Sequence, residues 1–207
     1  MQTRMRRAMA GTTAAALALT LAACSSSEQG SGSTTAASAP ASSQSAVADV
    51  HNEADTGFAQ MMIEHHNGAL DMANLAVEKG STSEIQELGQ RIADAQGPEI
   101  DLMTGWLEAW GEETSADMSM EGMDHSGMEM DGMSMDEAMT ELESLSGAEF
   151  DRRFLELMIA HHTGAIDMAQ QEIEDGSDPE AIQLAQDIVE AQTAEIDEMQ
   201  QMLDAMA

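Results

Sequence analysis

The sequence predicts an all-α protein, a four-helix bundle assembled from two copies of a helical hairpin. The first observation is composition: the chain is rich in Ala, Leu, Met, Glu and Gln, whereas aromatic residues make up 2% of it and Tyr is absent. Ala, Leu, Met, Glu and Gln favour helices, whereas sheets are enriched in aromatic and β-branched residues. The second is an internal repeat, because residues 58–73 recur as residues 154–169 at an offset of 96 with no gap. Such a repeat predicts two copies of one supersecondary unit.

The N-terminus predicts export. Three arginines within the first seven residues precede an apolar stretch, residues 8–23, which is too short to span a membrane as a mature helix. The stretch ends in Leu21-Ala-Ala-Cys24, which resembles the lipobox of bacterial lipoproteins. We therefore expect residues 1–23 to be a lipoprotein signal peptide and Cys24 to carry a lipid that anchors the protein on the extracytoplasmic side of the cell membrane. The alternative is an ordinary signal peptide followed by an unrelated Cys.

The predicted mature chain is a polar tether followed by an acidic domain. Residues 24–46 are mostly Ser, Ala, Thr, Gly and Gln, which predicts a flexible segment without a core. Residues 47–207 hold the predicted bundle. The formal charge is −32 at pH 7, and loss of the three leader arginines changes it to −35. This charge excludes nucleic acid as a partner, because phosphate binding depends on Lys and Arg, and it favours cations.

Each repeat is predicted to form two helices joined by a tight turn. In the first copy the helices span residues 50–79 and 83–110, and in the second they span residues 147–175 and 178–206. Each turn opens with Gly after the first helix and continues with residues that cap the next one, and Pro179 suits a first helical turn.

A Met-rich segment of about 35 residues, 111–146, connects the hairpins and is predicted to be a flexible linker. A helix of about 28 residues is roughly 42 Å long, and a linker of this length can cross that distance. Two hairpins with one long crossover form the ferritin-like type of four-helix bundle. The alternative is an up-down-up-down bundle in which the linker loops out.

The inward face of the predicted bundle carries polar residues. On a helical wheel, Met62, His65 and Met72 share one stripe, and Gln96, Glu99 and Met103 share a face of the following helix. A buried His or Glu costs several kcal/mol unless it is paired or bound to a metal. The same pattern occurs in the second repeat, so the sequence predicts a metal site. Its candidate ligands are Met62, His65, His66, Met72, Glu99, Met103, Met158, His161, His162, Met168, Glu195 and Met199.

Ligand softness predicts copper as Cu(I), for which Ag(I) could substitute, because thioethers and imidazoles suit these ions. Zinc prefers Cys, His and carboxylate ligands, and no thiol is available after lipidation of Cys24; calcium and magnesium take oxygen ligands only. A di-iron centre needs Glu three residues before His, and Met and Ile occupy those positions here. Other readings stay open: the methionines could fill the core, the histidines could hydrogen-bond structurally, and Glu99 and Glu195 could be ligands or partners of the histidines.

The linker supplies a second predicted soft-metal site. Small and acidic residues separate its methionines, so we expect these side chains to lie outside any core and to wrap around an ion. A disordered low-complexity tract is the alternative. Thioethers need no deprotonation, so binding by the tract should persist at acid pH, whereas binding by His should weaken near its pKa of about 6.5. The tract residues are Met118, Met120, Met123, His125, Met128, Met130, Met133 and Met135.

Both repeats read Phe-x-x-x-Met-Ile-x-His-His-x-Gly-Ala-x-Asp-Met-Ala, followed by Gln-x-x-Glu-Ile-x-x-Met. In these motifs the chain resembles a bacterial family known as domain of unknown function 305. The resemblance covers residues 50–207 and implies a ferritin-like fold. Some members are exported copper-binding proteins linked to copper tolerance. The Trp-Leu that commonly closes the second motif is present at Trp106 but replaced at Met202. The ligands that the resemblance implies are Met62, His65, His66, Met72, Met158, His161, His162 and Met168.

The expected function is therefore copper binding by an exported lipoprotein, for sequestration, tolerance or transfer to a copper-handling protein partner. No nucleophile triad, phosphate loop or nucleotide motif occurs, so we do not expect an enzyme. Two other functions stay open: a metal-dependent oxidase on a ferritin-like scaffold, and a helical interaction module without a metal. The sequence leaves the oligomeric state open.

Overall fold

The computed structural model describes residues 50–115 and 132–206. The predicted signal peptide, the lipidation site Cys24 and the tether lie outside the described residues. Within them the chain is all-α, as predicted, and the bounds of the four long helices agree with the expected ones to within three residues. The helices are α1 (Glu53–Lys79), α2 (Ser83–Trp110), α3 (Met135–Ser144), α4 (Gly147–Asp175) and α5 (Pro179–Ala205).

The short helix α3 corrects the prediction that the whole linker is flexible. Its start is set by a capping box, in which the Ser134 hydroxyl accepts from the main chain of Glu137 and the Glu137 carboxylate accepts from the main chain of Ser134. Ala138 and Leu142, one turn apart, are buried in the core. The sequence did not predict this helix, because its residues have the same polar, acidic and Met-rich composition as the rest of the linker.

The helices form two hairpins, α1 with α2 and α4 with α5, which meet through α1 and α4, while α3 packs on both of these. Asp55, at the start of α1, accepts hydrogen bonds from the main chain of Ser177 (3.0 Å) and Asp178 (2.8 Å), just after α4. Asp151, at the start of α4, accepts from the main chain and hydroxyl of Ser81, just after α1. Helices α1 and α4 are therefore antiparallel, and residues 96 apart exchange roles about a pseudo-twofold axis.

This arrangement requires a long crossover. Because α1 is antiparallel to both α2 and α4, α2 ends at one end of the bundle and α4 begins at the other. The segment between them must return along the length of the bundle, as in the ferritin-like connection rather than the up-down-up-down one.

The hydrophobic core has two clusters, one toward each end of the bundle. One cluster contains Ile92, Phe150 and Phe154, and the other contains Phe58 and Leu107. No helix within the described residues is long and apolar enough to cross a membrane.

The two joints between the hairpins differ in the acidic residues that they contain, and Asp178 corresponds to Thr82 in the other repeat. Glu172 on α4 is buried beside Asp55, whereas its repeat equivalent on α1 is Ala76. The Asp55 joint therefore contains three buried carboxyl groups, those of Asp55, Glu172 and Asp178, whereas Asp151 is the buried carboxyl group of the other joint.

Replacing Asp151 by Ala is expected to lower the free energy of unfolding by about 1–3 kcal/mol, because the main-chain N–H and the hydroxyl of Ser81 both lose their acceptor in partly buried hydrogen bonds. Urea denaturation measures the effect. Glu149→Ala, an exposed acid in the first turn of the same helix, is the matched control and should change stability by only a few tenths of a kcal/mol. Equal destabilisation by both substitutions would contradict this role of Asp151.

Candidate metal centre

Four histidines form a layer between the two core clusters. His65 and His66 lie on α1, and His161 and His162 lie on α4; none is more than 3% exposed. On α1 the preceding Met62 belongs to one cluster and the following Ala69 to the other. The layer therefore crosses the middle of the bundle, where a core would ordinarily be apolar.

His65 and His161 meet at the pseudo-twofold axis. Their ring centroids are 3.6 Å apart, and the ring planes are inclined by 43°. The two residues are 96 positions apart, so each copy of the repeat contributes the same side chain to this contact. His65 and His66 are further from each other, at 6.4 Å between centroids.

The outer histidines are each held by a glutamate of their own hairpin. The Nε2 atom of His66 lies 2.7 Å from Oε2 of Glu99, and that of His162 lies 2.6 Å from Oε2 of Glu195. Both glutamates are therefore hydrogen-bond partners of the histidines here, and their role as metal ligands stays a prediction. A carboxylate on one ring nitrogen orients the imidazole and is the usual companion of a histidine that binds metal through the other.

The Nδ1 nitrogens of the layer are buried. Among the described residues, the Nδ1 atoms of His66, His161 and His162 are buried and have no hydrogen-bond partner. Buried nitrogens without a partner are rare, since leaving such a group unsatisfied costs about 1–3 kcal/mol. An imidazole whose Nε2 donates to a carboxylate carries its lone pair on Nδ1, the atom that a metal would use.

The electrostatics of the layer favour neutral imidazole. Burial lowers the pKa of His161 well below its ordinary value, and the neighbouring His65, His162 and His66 lower it further, against a hydrogen bond to the main chain of His65. His161 is therefore uncharged at neutral pH, the form that binds metal.

Two glutamines complete the layer, and they are not among the ligands that the sequence predicts. Gln96 and Gln192 are each 3% exposed, and their repeat positions match. Within the described residues, both polar atoms of the Gln96 amide and the Oε1 atom of Gln192 have no hydrogen-bond partner. Their place on the inward face of α2 and α5 is visible in the sequence, and the unsatisfied amides appear only in the structure.

The predicted thioether ligands flank the histidine layer on both sides. Met62 and Met158 lie one turn before the outer histidines, on the buried faces of α1 and α4. All six methionines that the sequence predicts as bundle ligands are buried in the core clusters. They fill the core whether or not they bind a metal, and their ligand role stays a prediction. Met62, Met103 and Met168 belong to one cluster, and Met72, Met158 and Met199 belong to the other.

Across residues 50–115 and 132–206, no three His, Cys, Asp or Glu side chains converge in a way that could hold a metal ion. An ion with more than two protein ligands in this part of the chain would therefore also draw on thioether or amide groups. Thioethers select soft monovalent ions.

The Met tract divides at the limit of the described residues. Met133 and Met135 are half-buried and pack against the core cluster that contains Phe150, so the expectation that the tract methionines lie outside the core is wrong for these two. The sulfur of Met133 also lies 3.9 Å from a guanidinium nitrogen of Arg153. The other tract residues, Met118, Met120, Met123, His125, Met128 and Met130, lie outside the described residues.

Comparison with known proteins places the chain among relatives of similar fold. A family model described as Domain of unknown function (DUF305) matches residues 55–203. A DUF305 fragment from Deinococcus radiodurans is 29% identical with a TM-score of 0.66, and the match covers 75% of this chain and 99% of that one. A protein from Streptomyces coelicolor, described as a secreted DUF305 protein, is 33% identical with a TM-score of 0.67 over 74% of this chain and 92% of its own.

A third relative was solved with metals. CopM in its Cu(II)-bound form is 32% identical with a TM-score of 0.62, and the match covers 74% of this chain and 97% of CopM. CopM structures also exist in Cu(I)-bound and Ag-bound forms. A search of curated proteins found no match.

Proposed function

The chain belongs to the DUF305 family, and from this premise we propose that it is an exported lipoprotein that binds copper, as Cu(I), for sequestration, tolerance or transfer. The observation that carries the proposal is the buried histidine layer, with three imidazole Nδ1 atoms that have no hydrogen-bond partner among the described residues. Methionines flank this layer on both sides. Neutral nitrogen and sulfur donors together suit Cu(I).

The relatives support the choice of metal and of compartment. CopM, which was solved with Cu(I), Cu(II) and Ag, shares the fold along nearly its whole length. The relative from Streptomyces coelicolor is described as secreted. Together with the lipobox-like sequence before Cys24, these descriptions favour a copper protein that works outside the cytoplasm.

We propose different tasks for different residues of the histidine layer. Glu99 and Glu195 orient His66 and His162 through Nε2, which leaves Nδ1 of each ring to bind the ion. Burial and lowered pKa keep His161 neutral, so an incoming ion need not displace a proton. The acidic surface raises the local concentration of cations around the domain.

We propose binding rather than turnover. The ferritin-like oxidase alternative requires a carboxylate-rich centre, and the described residues contain no such group of three ligands. Oxygen consumption with repeated turnover during Cu(I) addition would favour the oxidase, and uptake of a fixed number of copper ions without oxygen consumption would favour binding.

The test is anaerobic titration of Cu(I) against a chromogenic competing chelator, read by absorbance and by metal analysis of the separated protein. We expect wild type to take copper from the chelator. The doubly substituted variant Met62→Leu with Met158→Leu keeps the volume of the core but removes two sulfurs, and we expect its affinity at one or more sites to fall about 10- to 100-fold.

The matched control is Met139→Leu with Met202→Leu, two half-buried methionines that are not candidate ligands and that pack on the core. It should bind copper as wild type does. A third variant that lacks residues 117–131 separates the Met tract from the bundle. Wild type that takes no copper from the chelator would overturn the proposed function, and unchanged affinity in the Met62 and Met158 variant would remove these residues from the site.

A further inference from the structure

Gly68 lies where three helices meet. A Cβ atom built on this residue of α1 would overlap the methyl group of Met135, at the start of α3. It would also lie 3.3 Å from the Met135 sulfur and 3.4 Å from Nε2 of His161, on α4. The missing side chain of Gly68 therefore makes a notch, and a thioether and an imidazole nitrogen both reach into it.

The helix that brings Met135 to the notch is held firmly to the bundle. The Lys79 ammonium group, at the end of α1, donates to the main-chain carbonyls of Leu142 (3.1 Å) and Glu143 (2.7 Å) at the end of α3. Arg153 of α4 pairs with Glu141 at 3.1 Å. These contacts use two of the few cations in the described residues to fix an otherwise acidic helix, so Met135 is positioned before any ligand arrives. Such preorganisation reduces the entropy cost of binding.

The chemistry of the two groups is matched. His161 is buried, and once its ring proton is on Nδ1, the Nε2 atom that faces the notch offers a lone pair in exchange for its hydrogen bond to the main chain of His65. A thioether has no proton to lose. A neutral nitrogen and a neutral sulfur donor are a poor site for Ca²⁺, Mg²⁺ or other hard ions and a good one for Cu(I) or Ag(I).

We propose that Met135 and His161 bind one soft monovalent ion at the Gly68 notch. The sequence presents the Met tract and the bundle histidines as two separate ligand sets, and this site joins them at a single ion. Through Met135, its last methionine, the Met tract would thereby hold a bound ion against the folded domain. The inference rests on the proposed function, since it assumes that the chain binds copper.

The experiment compares Met135→Leu and Gly68→Ala with wild type in anaerobic Cu(I) and Ag(I) titrations. Met135→Leu removes the sulfur and preserves the packing volume, and Gly68→Ala displaces the thioether without removing a ligand. We expect each substitution to lower the affinity for one bound ion by about tenfold or more. The double variant should lower the affinity for that ion no further, because both changes act on one site.

The matched controls are Gly97→Ala and Gly105→Ala. Both residues lie inside α2, and a Cβ built on either would meet no other atom within 4 Å. These substitutions should leave metal binding unchanged. In wild type, Ag(I) should shift the NMR signals of the Met135 methyl group and the His161 ring in the same titration step.

The outcomes separate the two proposals. Wild type that binds no Cu(I) would overturn both. Wild type that binds Cu(I) while Met135→Leu retains full affinity would overturn the shared site and leave the proposed function standing. The Met135→Leu result decides the inference even where Gly68→Ala destabilises the fold, and methyl and ring signals that shift in different titration steps would also overturn it.

Discussion

Glu172→Gln is expected to make the protein more stable at neutral and alkaline pH and to remove most of the dependence of stability on pH between 5 and 9. Burial raises the pKa of Glu172 to about 9, with further contributions from its hydrogen bond to Asp55 and from the negative charges of Asp55, Asp178 and Asp175. Within the described residues, a charged Glu172 has no donor for either carboxylate oxygen. A protonated Glu172 donates to Asp55 instead.

Of the two neighbouring carboxyl groups, Glu172 is protonated and Asp55 is ionised. Burial alone would raise the pKa of Asp55, but hydrogen bonds from the main chain of Asp178, from the Glu172 side chain and from the main chains of Asn52 and Ser177 outweigh it and lower the pKa. Asp55 therefore stays charged and accepts, and Glu172 stays neutral and donates.

The direction of the pH effect follows from proton binding. In the unfolded chain Glu172 ionises near pH 4.5, and in the folded chain near pH 9. The folded state binds more protons between these values, so its stability falls as pH rises through this window. A glutamine amide donates to Asp55 at every pH, so we expect the variant to gain about 1–3 kcal/mol at pH 8 and little at pH 5.

Urea denaturation at pH 5, 7 and 9 measures this effect. Glu174→Gln, which replaces an exposed acid two residues away on the same helix, is the control and should leave the pH dependence of wild type intact. Wild-type stability that is flat from pH 6 to pH 9 would contradict the assignment of the proton to Glu172.

Cys24→Ala is expected to move the protein from the membrane fraction to the soluble fraction. The proposed anchor is a lipid on this thiol. Each buried methylene of an acyl chain contributes about 0.8 kcal/mol to membrane binding, so loss of the lipid removes nearly all retention.

Fractionation of the producing bacterium and incorporation of labelled palmitate measure this change. Ser25→Ala, which alters the neighbouring residue and keeps the thiol, should remain in the membrane fraction and incorporate label. Wild type that carries no lipid, or a Cys24→Ala variant that stays in the membrane, would refute the lipoprotein assignment.

The helical hairpins and the histidine layer could be predicted because the signals for them are local. The Gly turns at Gly80 and Gly176 and the capping residues after them mark the helix ends to within a few residues. Helical periodicity puts His66 and Glu99 on inward faces, and a hairpin brings such faces together. Their 2.7 Å contact follows from the same pattern.

Other features could not be predicted, since they depend on contacts between distant parts of the chain. Met135 reads as one more residue of a polar tract, and only its position over Gly68 distinguishes it from the other tract methionines. Helical periodicity places Glu172 on the inward face of α4, one turn after Met168, but the sequence does not show which residue lies opposite it. Its altered pKa arises because α1 places Asp55 beside it.

The amino-acid sequence by itself determined the all-α class, the repeated hairpin and the residue types of the central layer, because composition, periodicity and an offset of 96 express these directly. The tertiary structure decided which of those residues meet. Antiparallel packing of α1 against α4 brings His65 and His161 to 3.6 Å, forces the long crossover and positions α3 over the Gly68 notch. Side chains about 96 residues apart acquire a common environment only when the two hairpins pack together, so their shared chemistry is a property of the fold.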